Sequence, residues 1–183
     1  MCIILKNLKN SFFCQIFFAA VLIISMSHNV SAKNLVYENN WAYLADTVMG
    51  GVSQGNAEFS AGALRLTGQV STKNNGGFIQ IRTRVDPTLA VGKSGIRIKV
   101  KGNGDVYYIH VRNASARLPW QYYTASFQTS KKWKNIEISF DKFEKSATLM
   151  PRKLKTESIK TIGIVAYGKD HDADVSIANL EFY

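Results

Sequence analysis

The side chains able to do acid–base, nucleophilic or metal chemistry in this 183-residue chain are few. It holds three histidines, His28, His110 and His171, and two cysteines, Cys2 and Cys14. His28 and both cysteines fall within residues 1–32, which read as an export signal, so only His110 and His171 remain as candidate general bases. Neither sits in a nucleophile-elbow context. His110 lies in the alternating run Tyr107-Tyr108-Ile109-His110-Val111-Arg112, which reads as a strand face, and a surface or groove role is expected of it. His171 lies in Asp170-His171-Asp172-Ala173-Asp174. Alternating carboxylates could ligate a cation, but the glycine and terminal glutamate of a calcium loop are missing. A hairpin turn with solvated acids is expected there. No catalytic residue, no metal site and no cofactor is predicted, and the chain is read as a non-enzyme.

Two glycine-bearing segments could suggest phosphate cradles. Asp46-Thr47-Val48-Met49-Gly50-Gly51-Val52-Ser53 has no lysine in P-loop position and no helix after it. Asn74-Asn75-Gly76-Gly77 leads into a strand instead of a helix N-terminus. Neither fits a nucleotide loop; backbone positions needing positive φ account for them better. The first segment is expected to be a structural fastener. Gly50 and Gly51 would turn the chain sharply, Asp46 would accept backbone N–H bonds, and Met49 would plug the edge of the fold.

A third set combines rings and cations: Arg82 and Arg84; Tyr108, His110 and Arg112; Tyr122 and Thr124, with Trp120 just upstream. Aromatic faces stack on sugars and guanidinium forks pair with carboxylates, so these are candidate ligand-binding residues for an acidic saccharide. The same composition also suits an ordinary solvated face with amphipathic side chains.

The elements that must position these residues are strands. Leu64, Leu66 and Val70 alternate with Arg65, Thr67 and Gln69; Ile79, Ile81 and Val85 with Gln80, Arg82 and Arg84; Ile96, Ile98 and Val100 with Arg97, Lys99 and Lys101. The pattern continues through Tyr107–Arg112, Tyr122–Gln128 and Asn135–Phe140, with further strands expected at 161–167 and 174–183. No stretch of ten or more residues shows a 3.6-residue apolar stripe. Short strands separated by glycine- and asparagine-rich turns predict an all-β fold, a two-sheet antiparallel jelly-roll sandwich. In the last strand Val175 and Ile177 share one parity and Leu180 and Phe182 the other, which requires a bulge near Ala178-Asn179. The core between the sheets is expected to hold Trp41, Met49, Val52, Phe78, Ile81, Ile98, Ile109, Val111, Phe127, Ile138, Phe140 and Ile164.

The N-terminus reads as an export signal. Lys6 and Lys9 precede an apolar run from Phe12 to Met26, and Val30-Ser31-Ala32 offers the small residues of a cleavage site. The run is about 15 residues, short of the roughly 20 that span a bilayer; left uncleaved, it would serve as an anchor. Residues 1–32 are therefore predicted to be a signal peptide and 33–183 a single domain, periplasmic or secreted and not integral to the membrane after cleavage. Removing the signal takes both cysteines, so the mature chain has no disulfide or thiolate chemistry. It also takes two of the 23 cations, leaving 21 against 13 acids, a net charge of +8. These cations are dispersed along strands, as on a solvated face, which argues against nucleic acid; an anionic glycan or phospholipid headgroups are the alternative partners.

Trp41, the Asp46–Ser53 motif, Gly68, Ser71 and Asn74-Asn75-Gly76-Gly77-Phe78 together resemble the complex I intermediate-associated protein 30 family. So do Tyr107-x-Ile109-x-Val111-Arg112, Tyr123-x-Ala125-x-Phe127 with Thr129, and Trp133-x-x-Ile136-x-Ile138-x-Phe140-x-x-Phe143. The resemblance covers Trp41 to Tyr183. It implies a galactose-binding-like jelly roll and a non-catalytic, protein-binding assembly-type factor, whose partner here would be an unidentified envelope protein complex. A glycan- or small-ligand-binding module using one sheet's outer face is the alternative.

Overall fold

A computed structural model describes residues 32–38 and 40–183. The N-terminal apolar run lies outside the described residues. Among those described, no helix is long and apolar enough to cross a membrane. Among the described residues, eleven strands form two antiparallel sheets. One has six strands in the order β1 (Ala42–Ala45), β4 (Phe78–Arg84), β10 (Ile159–Tyr167), β6 (Val106–Asn113), β7 (Tyr123–Gln128) and β9 (Glu144–Lys145). The other has five: β2 (Gln54–Ser60), β3 (Ala63–Val70), β11 (His171–Phe182), β5 (Gly95–Gly102) and β8 (Lys134–Ser139). The expected all-β sandwich is the fold the chain adopts.

Alternation explains the core. Ile79 and Ile81 of β4, Ile109 and Val111 of β6, and Ile162 and Ile164 of β10 point inward and are fully buried. They meet Ile96 and Ile98 of β5 and Val175, Ile177 and Leu180 of β11, equally buried. Each such side chain stabilises the fold by about 1.5–3 kcal/mol relative to exposure. The strand β11 keeps four apolar residues inward because its register against β5 shifts between Ile177 and Asn179, at the expected bulge. The fully buried Tyr107 hydroxyl donates to Asn103 Oδ1 at 3.0 Å and accepts the Asp174 N–H at 2.8 Å. It thereby ties β6 of one sheet to β11 of the other.

Five expected core positions differ. Trp41 and Phe140 are half-buried and pack against the core from its edge. Phe78 shares the parity of Gln80 and Arg82, so it points to the outer face of its sheet. Met49 and Val52 are 65% and 41% exposed. In the 3₁₀ turn Asp46–Met49 the buried position belongs to Asp46, which turns the apolar side chains outward. The acids near His171 are also not simply solvated. Asp170 accepts from Thr72 N–H and Oγ1, and Asp174 forms a two-point pair with Arg65, because β11 begins at His171 and brings both against β3 and its following loop.

Candidate binding groove

The groove is built on the outer face of the six-stranded sheet, and its rim starts from Asp46. This carboxylate is fully buried and accepts N–H bonds from Ser53 (3.0 Å), Gly77 (2.5 Å) and Phe78 (3.2 Å), plus the Ser53 hydroxyl (2.5 Å). Burial pushes its pKa up, but those four donors outweigh burial and hold it below the ordinary 3.8. Asp46 thus joins the 46–53 loop to the 74–77 loop. The glycines follow from it. Gly50 has φ +89°, as a sharp turn requires, but Gly51 and Gly76 are needed for room. A Cβ on Gly51 would lie 2.4 Å from Asp46 Cγ, and one on Gly76 2.4 Å from Asp46 Oδ2. Positive φ falls instead on Asn74, Asn75 and Gly77. Thr47 contributes its carbonyl to the Gly50 N–H.

With Asp46 holding the loops, Val48 and Met49 project over one side of the sheet. Asn75, Gly76 and Phe78 continue that rim. Met49 is therefore part of a groove wall, where an edge plug was expected. The strand β10 forms the floor. Gly163 lies opposite Arg82 of β4 and His110 of β6, Thr161 opposite Arg84 and Arg112, and Val165 opposite Gln80 and Tyr108. The far wall is aromatic. His110 stacks on Tyr122 with ring centroids 3.9 Å apart and planes 14° from parallel. Tyr167 stands edge-on to His110 and to Tyr108, at 6.1 and 6.0 Å. Trp120, 62% exposed, and Pro119 complete this side. The enclosed volume is about 520 Å³, within the usual range for small-ligand sites.

The electrostatics are set by burial. His110 is held well below 6.5, at about 4, by desolvation, so the ring is neutral at pH 7. Burial and the neighbouring Tyr167 push Tyr122 up to about 12. Arg112 donates through Nε to the Gln121 carbonyl (3.1 Å) and through Nη2 to the carbonyls of Ala116 (3.2 Å) and Leu118 (2.9 Å). It therefore serves first as a clamp for the loop that carries Trp120, a role its place on an alternating strand did not reveal. Arg82 lines the groove half-buried, whereas Arg84 at the strand end is exposed and outside the lining. Tyr108 lies beside the groove, reaching it only through Tyr167. Among the described residues, no group of His, Cys, Asp or Glu is arranged to hold a metal ion.

The structure thus joins two segments that the sequence presents separately, the glycine motif and the ring-and-cation set, into one concavity. Sequence reasoning missed Tyr167, Gln80, Val48 and Thr161. The parity of Ile162 and Ile164 already sends Thr161, Val165 and Tyr167 outward; what it does not reveal is that β10 lies between β4 and β6.

Two antiparallel sheets with a concave outer face bordered by loops define a galactose-binding-like jelly roll of the kind found in carbohydrate-binding modules. A family 11 carbohydrate-binding module from Clostridium thermocellum, in complex with a β-1,3-1,4-mixed-linked tetrasaccharide, superimposes with a TM-score of 0.64 at 15% identity, covering 78% of this chain and 88% of that one. The family 11 module of the cellulosomal cellulase Lic26A-Cel5E from the same organism gives 0.66 at 16% identity, over 82% and 93%. The chain belongs to the complex I intermediate-associated protein 30 family, whose sequence profile matches residues 29–177. No curated protein matches it by sequence.

Proposed function

We propose that this protein is a non-catalytic binding domain, exported after loss of residues 1–32, whose groove holds a stretch of saccharide chain. The observation that supports this reading most is the His110–Tyr122 stack beside Trp120: flat apolar surfaces flanking a 520 Å³ concavity, with Gln80 and Thr161 as hydrogen-bonding groups on its floor and near wall. Sugar rings present an apolar face and a polar rim, which that surface complements. The likeness in fold to modules named for carbohydrate binding agrees with it. The arrangement holds no nucleophile paired with a base, and the buried His110 is stacked instead of poised for proton transfer.

A second reading keeps the assembly-type role that the family name carries, with an envelope protein complex as partner. Exposed Val48, Met49 and Leu118 beside Trp120 favour it, since such a rim would suit another protein surface. A glycan array, run beside affinity capture from native envelope extract, separates the two. Retention of an oligosaccharide, lost in Tyr122→Ala at unchanged melting temperature, supports the first reading. Recovery of one defined complex with no retained glycan overturns it.

A further inference from the structure

We propose that the groove takes an acidic saccharide, one bearing carboxylate or sulfate groups, and that the anion seats over Thr161 between Arg82 and Arg112. This rests on the saccharide reading above and adds the charge and position of the ligand group.

The first support is the way arginine is treated elsewhere in the same molecule. Arg65 is paired with Asp174 at 2.9 Å, and Arg97 with both Glu137 and Glu181 at 2.8 Å. Arg82 is half-buried in the groove, and among the described residues no carboxylate or hydrogen-bond acceptor is matched to it. Arg112 meets only carbonyl oxygens, which occupy its donors without cancelling its charge. No Asp or Glu lines the concavity at all.

The second support is where the register sets these two cations. Arg82 and Arg112 sit on β4 and β6, the two strands that flank β10, opposite Gly163 and Thr161 respectively; two strand spacings and a two-residue offset put their Cα atoms about 12 Å apart. Burial, and after it the nearby Arg82 charge, make the Arg112 guanidinium a weaker base. Two like charges brought together without a counter-ion are an arrangement that an anion relieves. Between them the floor is Thr161 and Gly163, with the Gln80 side-chain amide lying over the glycine. Gly163 has no side chain, and a Cβ there would already press on Gln80 Oε1 at 3.1 Å and the Ile81 carbonyl at 3.3 Å. The Gln80 amide therefore takes the place over Gly163, and an oxyanion would sit beside it over Thr161, where the Arg82 fork can meet it two-pronged while the unengaged Nη1 of Arg112 reaches it from the other side. Because His110 is neutral, the field in the groove comes from the arginines and does not depend on pH near neutrality.

The full-chain protein should be titrated with galacturonic acid oligomers and with the same oligomers methyl-esterified, which removes charge and leaves the chain. A sulfated galactan oligomer and its desulfated form make the second pair. The charged member of at least one pair is expected to bind at least tenfold more tightly at low ionic strength, with the ratio falling as salt rises; the pair that shows it identifies carboxylate or sulfate. Arg82→Gln should bring the charged oligomer close to its neutral partner, and Arg82→Lys should recover part of the preference. Arg97→Gln, on the opposite face, should leave the preference as it was. Equal affinity within both pairs would overturn the anion site and leave the saccharide reading standing. Failure of every oligomer to bind would overturn both.

Discussion

On the outer face of the five-stranded sheet, Arg65 and Arg97 bond to Asp174, Glu137 and Glu181, and Lys101 lies over the Trp133 ring at 5.0 Å. On the outer face of the six-stranded sheet, Arg82 and Arg112 share a concavity with four aromatic side chains and no acid. Both faces are built from the same alternation of apolar and cationic residues. One neutralises its charge within the protein; the other leaves it directed at whatever enters. A basic composition therefore says little about binding until the partner of each cation is known.

The comparison can be broken most forcefully at Asp46, which holds the rim of the acid-free groove. Asp46→Ala removes the acceptor for four donors and should cost about 3 kcal/mol, or roughly 6–12 °C in melting temperature for a domain of this size. Calorimetry checks it, and saccharide retention should fall with the rim. A variant that melts like the parent would mean that the motif is not a fastener.

Acid sharpens the same contrast. His110 is neutral in the folded protein at about 4, against 6.5 when unfolded, so the unfolded chain binds the extra proton first. Stability should be full above pH 6.5 and fall as pH drops from there to about 4. Asp46 works in the other window: its lowered pKa gives stability that is present above 3.8 and lost as pH falls through the folded value. Denaturant midpoints measured in steps of pH should show both descents, and His110→Phe, which keeps a stacking ring, should flatten only the upper one.

Tyr122→Ala should weaken saccharide binding at least tenfold, about 1.4 kcal/mol. Trp133→Ala, on the opposite face, should leave it unchanged in the same titration. Equal losses would erase the distinction between the faces. The smallest effect is expected at the paired cations. Glu137→Gln, which releases one of the two acids on Arg97, should shift stability by less than about 1 kcal/mol because that pair is solvent-exposed.

The strands whose apolar residues alternate strictly, such as β4, β5 and β6, are readable from sequence because one face of each is buried. The strand β2 is not. It is a largely exposed edge, Gln-Gly-Asn-Ala-Glu-Phe-Ser, with no buried face to impose a period. Phe78 and Met49 mislead for a related reason: apolar character predicts burial on average, but a groove also needs apolar walls. The outward direction of Tyr122, His110 and Arg82 follows from parity. Their convergence does not, because it depends on β10 crossing from far along the chain to lie between β4 and β6. The use of Arg112 as a loop clamp is likewise invisible, since its acceptors are main-chain carbonyls, which every sequence supplies.

The Tyr107 hydroxyl, holding Asn103 and the Asp174 amide behind the floor of the groove, stops one sheet from sliding over the other. The two sheets are thus linked to each other before any ligand arrives. A receptor stiffened in this way gives up little motion on being filled, so its losses on association should come from the ligand's own loosened bonds. Short, rigid ligands should then gain more from this site, atom for atom, than long flexible ones.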